Sequence, residues 1–285
     1  MKRFKIGGVP EHFNLPWRLA IEDGDFHKNE VELHWADMSG GTGQMIKGLQ
    51  TGSIDIAVLL TEGITKAILQ GLDATIVAVY VQSPLSWGVH VPFSSSFNCV
   101  EDLENKTFAI SREASGSHLM AVVNAYQKNW DLSKLTFNVV GDVYGGLWSL
   151  NQNESQGFLW EKYTTQPFVD QNKCRRVGEV NTPWPCFVIA VNKKIAKENP
   201  ELIKNICETV QLKASALKQH ADSSTIISWR YNLSVSQVSM WLAHTEWSND
   251  GQIKLSDFEL VVHYLSQMKL ISKEEAINWE QKLFL

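Results

Sequence analysis

The 285-residue chain lacks the features that define several specialised classes of protein. No apolar run approaches the ~20 residues that a membrane span needs. The first residues, 1–6, lead straight into a strand pattern, without the ~7–15-residue apolar stretch of a secretory signal. No basic stripe is present and the net charge is only -5, which gives nucleic-acid binding no support. We therefore expect a cytoplasmic monomer or homodimer with a small-molecule ligand. A periplasmic protein whose signal peptide had been removed would show the same pattern.

Cysteine is scarce, and its spacing is uninformative for metal binding. The four cysteines, Cys99, Cys174, Cys186 and Cys207, are widely separated and form no C-x-x-C pair. Zinc sites and redox motifs depend on such close pairs. We expect all four to be buried thiols that behave as small hydrophobes, and we expect no metal site.

Known catalytic arrangements are also missing. The sequence has no G-x-S-x-G turn and no H-E-x-x-H motif, and its eight histidines are dispersed. The sequence therefore predicts no catalytic residue and no cofactor, and it favours a binding protein over an enzyme.

The chain does contain a regular alternation of strand and helix patterns. Apolar runs such as 54–60 suit strands buried on both faces of a parallel sheet, so we expect an α/β fold with helices on both sides of the sheet. The strands are expected near residues 4–9, 31–35, 54–60, 74–81, 106–110, 136–140, 157–160 and 187–191. A serine-rich loop at 93–98 and a turn at 183–186 are the expected crossings between two lobes. Lobe 1 would comprise 1–92 plus 189–285, and lobe 2 would comprise 93–188.

A glycine-rich turn follows the second expected strand and is the strongest signal of a binding site. It consists of Ser39, Gly40, Gly41, Thr42 and Gly43. Glycines allow the backbone to approach a ligand closely, and a helix that begins here offers free N–H groups to a carboxylate, sulfonate or phosphate. The alternative is an ordinary helix cap made by Ser39 or Thr42. No Walker lysine follows, so the turn is not a nucleotide motif.

Other polar and aromatic side chains follow the remaining strands. Glu11 and His12 come after the first strand and Glu62 after the third, which predicts two carboxyl groups near a ligand that carries a cationic or hydrogen-bond-donating part. In the second lobe, Trp160 and Glu161 end a strand, and Ser115 begins a helix. For each, the competing interpretation is an ordinary core, cap or solvated surface residue.

Several segments together resemble a known family. The turn 39–45 with Leu49 and Gly52, followed by Ile54-Asp55-Ile56-Ala57, resembles the sulfonate, nitrate and taurine binding proteins of the type 2 periplasmic-binding-protein superfamily. That superfamily includes the thiamine-pyrimidine-precursor (NMT1/THI5-like) proteins. Residues 9–13, 60–63 and 81–85 resemble more particularly its signal-less intracellular branch, the Ca3427-like proteins.

The resemblance implies a two-lobed type 2 fold with a central ligand cleft, and it adds Ser83 to the expected ligand contacts. The expected ligand is a polar metabolite, anionic or aminopyrimidine-like, around which the two lobes close. Two alternatives stay open. One is a thiamine-pyrimidine synthase on the same fold, which would use pyridoxal phosphate, although the cysteine-rich cluster of those enzymes is absent. The other is the solute-binding component of an ABC transporter.

Overall fold

The computed structural model describes residues 1–113 and 115–285. The chain folds into two compact units, which are Met1–Pro84 with Trp184–Leu285, and Leu85–Pro183. Below they are called the first and second units.

The first part of the first unit alternates strands and helices. Its elements are β1 (Lys2–Gly8), α1 (Leu15–Glu22), β2 (Val31–Asp37), α2 (Gly41–Thr51), β3 (Ile56–Leu60), α3 (Thr61–Leu69) and β4 (Ala74–Val81).

The second unit continues the alternation. Its elements are β5 (Ser86–Pro92), β6 (Thr107–Ile110), α4 (Gly116–Gln127), β7 (Thr136–Val139), α5 (Val143–Asn151), β8 (Gly157–Glu161), α6 (Lys162–Asp170) and β9 (Cys174–Asn181).

The chain then returns to the first unit with one strand and a series of helices. These are β10 (Phe187–Asn192), α7 (Lys193–Glu198), α8 (Pro200–Gln219), α9 (Ser223–Tyr231), α10 (Val235–His244), α11 (Leu255–Gln267), α12 (Lys273–Ala276) and α13 (Trp279–Leu283). Among the described residues, no helix is both long enough and apolar enough to cross a bilayer.

The sheet of the first unit has the order β2-β1-β3-β10-β4 and is mixed, whereas the sequence predicted a parallel sheet. β1 pairs in parallel with β2 and β3, but β10 runs antiparallel to both β3 and β4. The physical reason is that the chain re-enters the sheet at the edge where β4 ends, with Phe187 opposite Val81, so β10 runs back in the opposite direction. Phe187, the first residue of β10, lies opposite Leu60, the last residue of β3.

The second unit repeats this arrangement with the order β7-β6-β8-β5-β9. β6 pairs in parallel with β7 and β8, while β5 runs antiparallel to β8 and β9. The α/β fold is therefore confirmed, with one antiparallel strand in each sheet.

The crossings between the units fall at 84/85 and 183/184. The sequence placed the lobe boundaries at 92/93 and 188/189. The structure assigns all of β5 to the second sheet and all of β10 to the first, because each strand is hydrogen-bonded to two neighbours in its own sheet. The serine-rich segment 93–98 accordingly lies inside the second unit.

The prediction of four buried cysteines is wrong for one of them. Cys174, Cys186 and Cys207 are buried, whereas Cys99 is exposed. Cys99 precedes a short helical turn, Val100–Leu103, and its backbone N–H donates to the carboxylate of Asp102. This capping position holds it at the surface.

Candidate functional site

The carboxyl ends of four parallel strands meet at one edge of the first unit's sheet. Gly8 at the end of β1 lies opposite Asp37 at the end of β2 and Val58 in β3. Phe187 lies opposite both Leu60 and Val81, which end β3 and β4. Open α/β sheets bind ligands beyond this edge. The segments predicted to bind ligand in this unit follow these strand ends.

After β1, the chain makes a short helical turn that carries His12. The half-buried imidazole packs 4.1 Å from the ring of Trp241, 5.3 Å from Phe13 and 6.0 Å from Tyr231. Desolvation by this environment lowers the pKa of His12 to about 4. The imidazole is therefore neutral near pH 7, with one nitrogen as donor and the other as acceptor.

Hydrogen bonds to the carbonyls of Glu11 and Phe13 fix the turn. Glu11 is half-buried, and its carbonyl accepts from the N–H of Asn14 at 3.0 Å. The carbonyl of Phe13 accepts from the hydroxyl of Tyr80 at 2.8 Å and from the indole N–H of Trp247 at 2.9 Å. Two distant parts of the chain thus position the turn.

After β2, the glycine-rich turn leads into α2 without a side-chain cap. Gly40 is the N-cap residue, and its N–H donates to the side-chain oxygen of Gln44 at 2.8 Å. Gly41 has φ of +67°, and a Cβ added there would meet no atom within 4 Å. The backbone at the start of α2 therefore borders open space. Ser39 and Gly43 are exposed.

Thr42 ties this turn to the neighbouring strand and helix. Its hydroxyl oxygen accepts from the N–H of Leu60 at 3.4 Å. A Cβ at Gly63 would lie only 2.4 Å from the methyl carbon of Thr42, so the two helix starts are in close contact.

After β3, Glu62 lies buried in the first turn of α3. Its carboxyl oxygen Oε2 accepts from the indole N–H of Trp184 at 3.1 Å, while Oε1 is buried without a hydrogen-bond partner. Burial raises the pKa of Glu62 to about 7, against the lowering effects of its own backbone N–H and of the Trp184 bond. Near neutral pH this carboxyl exchanges between its acid and carboxylate forms.

Ser83 follows β4 and is occupied by backbone hydrogen bonds. Its hydroxyl accepts from the N–H of Glu246 at 3.0 Å, and its carbonyl accepts from the N–H of Cys186 at 3.3 Å. It therefore connects the end of β4 to the returning chain.

The three candidate residues of the second unit lie at the corresponding edge of its own sheet. Ser115 is buried and caps α4 by accepting from the N–H of His118 at 3.4 Å. Glu161 caps α6 by accepting from the N–H groups of Tyr163 at 3.1 Å and Thr164 at 2.6 Å. Desolvation raises the pKa of Glu161, although these bonds oppose the rise.

Four tryptophans of the two units differ in their exposure. Trp160 is half-buried, its ring 5.4 Å from Phe158. Trp87 lies opposite Glu161 in the sheet and is buried, and its indole N–H has no partner. Trp148 on α5 is 56% exposed, whereas Trp184 of the first unit is only 2% exposed. Four large indoles thus have four different environments.

The structure thus collects the predicted residues into one group in each unit. Nine of them, Glu11, His12, Ser39 to Gly43, Glu62 and Ser83, follow strand ends of the first sheet. In the second unit, Ser115 follows β6, and Trp160 and Glu161 are the last two residues of β8. Sequence reasoning missed the rings around His12 and the Glu62–Trp184 bond, because both join residues far apart in the chain. In the described residues, no cluster of side chains is suited to hold a metal ion.

Comparisons with known proteins agree with this architecture. The family model for the Ca3427-like PBP matches residues 87–180. The CA3427 gene product of Candida albicans, described as having the generic periplasmic-binding-protein fold, is 22% identical over 100% of this chain and 96% of its own, with a TM-score of 0.88.

Two sulfonate-binding proteins are similar in fold. The alkanesulfonate-binding protein SsuA of Xanthomonas axonopodis pv. citri is 14% identical over 99% of this chain and 98% of its own, with a TM-score of 0.79. SsuA of Escherichia coli is 17% identical over 100% and 98%, with a TM-score of 0.77. No curated protein matches. The resemblance predicted from the sequence is confirmed: the chain has the periplasmic-binding-protein fold, and its residues 87–180 match the Ca3427-like family.

Proposed function

We propose that the protein binds one small polar molecule beyond the strand ends of its first unit and closes its two units around it. The observation that carries the proposal is the start of α2. There, a glycine turn without a side-chain cap borders open space, so the first-turn N–H groups are available to a ligand. A helix of this length favours a negatively charged or strongly accepting group at its N-terminus.

Two further observations support a ligand with more than a simple anionic group. His12 is a neutral donor and acceptor among aromatic rings, which suits a flat polar ring such as an aminopyrimidine. Two structural relatives are described as binding alkanesulfonate or nitrate, both of which are anions. We propose an anionic or accepting group at α2 and a ring near His12.

The first experiment is native mass spectrometry of the purified protein, to detect a co-purified small molecule. Thermal shifts with taurine, ethanesulfonate, nitrate and 4-aminopyrimidine then test the chemical class directly. We expect the molecule that binds to raise the melting temperature. Once its concentration exceeds Kd, the increase should grow with the logarithm of that concentration.

A pair of charge variants tests the position of the site. Gly43→Asp places a carboxylate in the first turn of α2, where it suits the helix but competes with an accepting ligand. Gln50→Asp adds the same charge to an exposed position about 10 Å further along the helix. We expect binding to be lost in Gly43→Asp and kept in Gln50→Asp. Equal binding by both variants would remove α2 from the site.

We also infer that the protein acts without pyridoxal phosphate. That cofactor forms a Schiff base with a lysine amine. Lys162 is the lysine best placed at a strand end, but its ammonium lies 2.8 Å from a carboxylate oxygen of Glu179 and 5.4 Å from the ring centre of Tyr163. The synthase alternative would instead be supported by three observations together. These are an imine absorption band after pyridoxal phosphate is added, a borohydride-reduced adduct on Lys162, and a modified His12.

A further inference from the structure

The segment by which the chain returns to the first unit is attached to the start of α3. Trp184 is the first residue after the second crossing. Its indole N–H donates to Glu62, and the next two residues contact Thr61. The hydroxyl of Thr61 donates to the carbonyl of Pro185, and its N–H donates to the carbonyl of Cys186 at 3.1 Å. The three consecutive residues 184–186 are thus hydrogen-bonded to Thr61 and Glu62.

The same segment is bonded to the first crossing. The N–H of Cys186 donates to the carbonyl of Ser83, and Ser83 in turn accepts from the N–H of Glu246. Both places where the chain passes between units are therefore connected through Cys186 and Ser83. A change in the Glu62–Trp184 hydrogen bond therefore affects the segment 184–186, which is bonded to Ser83 at the first crossing.

Glu62 is an unusual group to find at such a position. It is 4% exposed, Oε1 has no hydrogen-bond partner, and the carboxyl interacts only with the indole N–H of Trp184, which donates to Oε2, and with the backbone N–H of Glu62 itself. An ionised buried carboxyl is stable when several donors or a cation surround it, and two neutral donors are a weak substitute. The acid form suits this environment better than the carboxylate.

Among the described residues, no charged side chain is a cause of the shifted pKa of Glu62. The elements that pack against α3 include α2, α11 and α13, and the ring of Tyr264 on α11 lies 5.6 Å from that of Trp184. The other charged or titratable side chains of α3 and of these elements are not among the causes of the Glu62 pKa shift: Lys47, Lys66, Asp257, Glu259, His263, Tyr264, Glu280 and Lys282. Burial is the dominant cause of the raised pKa.

We propose that Glu62 is a positioning residue for the returning segment: the buried carboxyl stays in place while it is protonated, and loss of its proton loosens the segment, because the cost of burying a carboxylate outweighs its stronger hydrogen bond from Trp184. The proton leaves to solvent, and no covalent bond other than O–H is broken. The consequence for ligand affinity rests on the proposed function, since a looser crossing changes how readily the units close. The loosening itself does not depend on any ligand.

The test uses the ligand-free protein. Indole ¹H–¹⁵N spectra between pH 5 and 9 should show the Trp184 signal titrating with a midpoint near 7. Between pH 6 and 8 the ionised fraction of such a group rises about tenfold. We expect hydrogen exchange at the amides of Thr61 and Cys186, corrected for its intrinsic pH dependence, to accelerate by about the same factor.

Two variants separate positioning from simple packing. Glu62→Gln keeps the acceptor for Trp184 without an ionisable group, so both pH dependences should disappear while exchange stays slow. Trp184→Phe removes the indole donor, so the Glu62 carboxyl, followed by ¹³C-labelled glutamate, should titrate at a higher pH. A Trp184 signal and amide exchange that do not respond to pH in the wild-type protein would overturn the proposal, as would an unchanged response in Glu62→Gln. A failure to bind any small molecule would instead contradict the proposed function and leave these two measurements intact.

Discussion

At the scale of single residues, two buried titratable groups at the first unit's edge respond to burial in opposite directions. Desolvation raises the pKa of Glu62 to about 7 and lowers that of His12 to about 4. In both cases burial favours the neutral form. Near pH 7, His12 is therefore neutral, whereas Glu62 is divided between its acid and carboxylate forms.

The Glu62 shift predicts how stability depends on pH. A carboxyl whose pKa is raised by folding binds its proton more tightly in the folded state. Stability is therefore lost as pH rises from the unfolded pKa near 4.5 to the folded value of about 7, and the loss is constant above that. A shift of this size corresponds to at most about 3 kcal/mol.

We expect Glu62→Gln to be more stable than the wild-type protein at pH 8, by up to about 3 kcal/mol, and close to it at pH 4.5. Urea unfolding across this range measures the difference. The lowered pKa of His12 contributes equally to both proteins, so it does not affect the difference between their free energies of unfolding. Glu104→Gln, at an exposed position, is the matched control and should follow the wild-type curve. Parallel curves for Glu62→Gln and the wild type would mean that the buried carboxyl does not titrate as described.

At the scale of elements, α2 and α3 are held together by contact between Thr42 and Gly63. The methyl carbon of Thr42 occupies the space that a side chain at 63 would need. Because the Thr42 hydroxyl also accepts from Leu60, the start of α2 is fixed relative to the end of β3. This contact positions the open turn at 40–43.

We expect Gly63→Ala to destabilise the protein by about 1–3 kcal/mol through overpacking, partly offset by a helix-propensity gain of about 1 kcal/mol. Thr42→Ser removes the methyl group and keeps the hydroxyl. In that background Gly63→Ala should become neutral or stabilising. A double-mutant cycle by urea unfolding measures the coupling. Additive effects would show that the two side chains do not compete for space.

The sequence predicted the parallel strands and most helices of the first unit, because buried runs such as Ile56–Leu60 have no alternative to a central strand. It missed β5, α5, α6 and β9. The helix α5 contains Gly145 and Gly146, and α6 contains Pro167, which all weaken a helical pattern. β9 is an edge strand with two arginines and a glutamate. Packing against the rest of the second unit decides these elements, and local pattern cannot show it.

The site residues were predicted from the positions of the strand ends alone, and these positions do not show which side chains contact one another. Strand ends give the edge of a sheet, so Glu11, Thr42 and Glu62 fall into one group. They do not give the direction of a side chain. The Trp184 partner of Glu62 and the Trp241 neighbour of His12 come from the end of the second crossing and from α10, which only tertiary structure brings to this edge.

At the scale of the whole molecule, the two units share one strand order and are joined by two crossings. Each sheet has four parallel strands and one antiparallel strand, and the antiparallel strand is the first one after each crossing. Two compact bodies joined by two short segments can move relative to each other with changes in few backbone angles. The periplasmic-binding-protein fold therefore provides the mechanical basis for the proposed closure.

The last prediction concerns this closure. After removal of any co-purified molecule by unfolding and refolding, small-angle scattering should show the radius of gyration falling when the molecule identified by native mass spectrometry is added to saturation. The reason is that a ligand bound by both units stabilises the closed arrangement by its differential affinity. The Gly43→Asp variant, which should not bind, is the control and should keep its radius of gyration. If the wild-type value is unchanged at saturating ligand while binding is shown by thermal shift, the ligand is bound by one unit alone, and closure is not part of the mechanism.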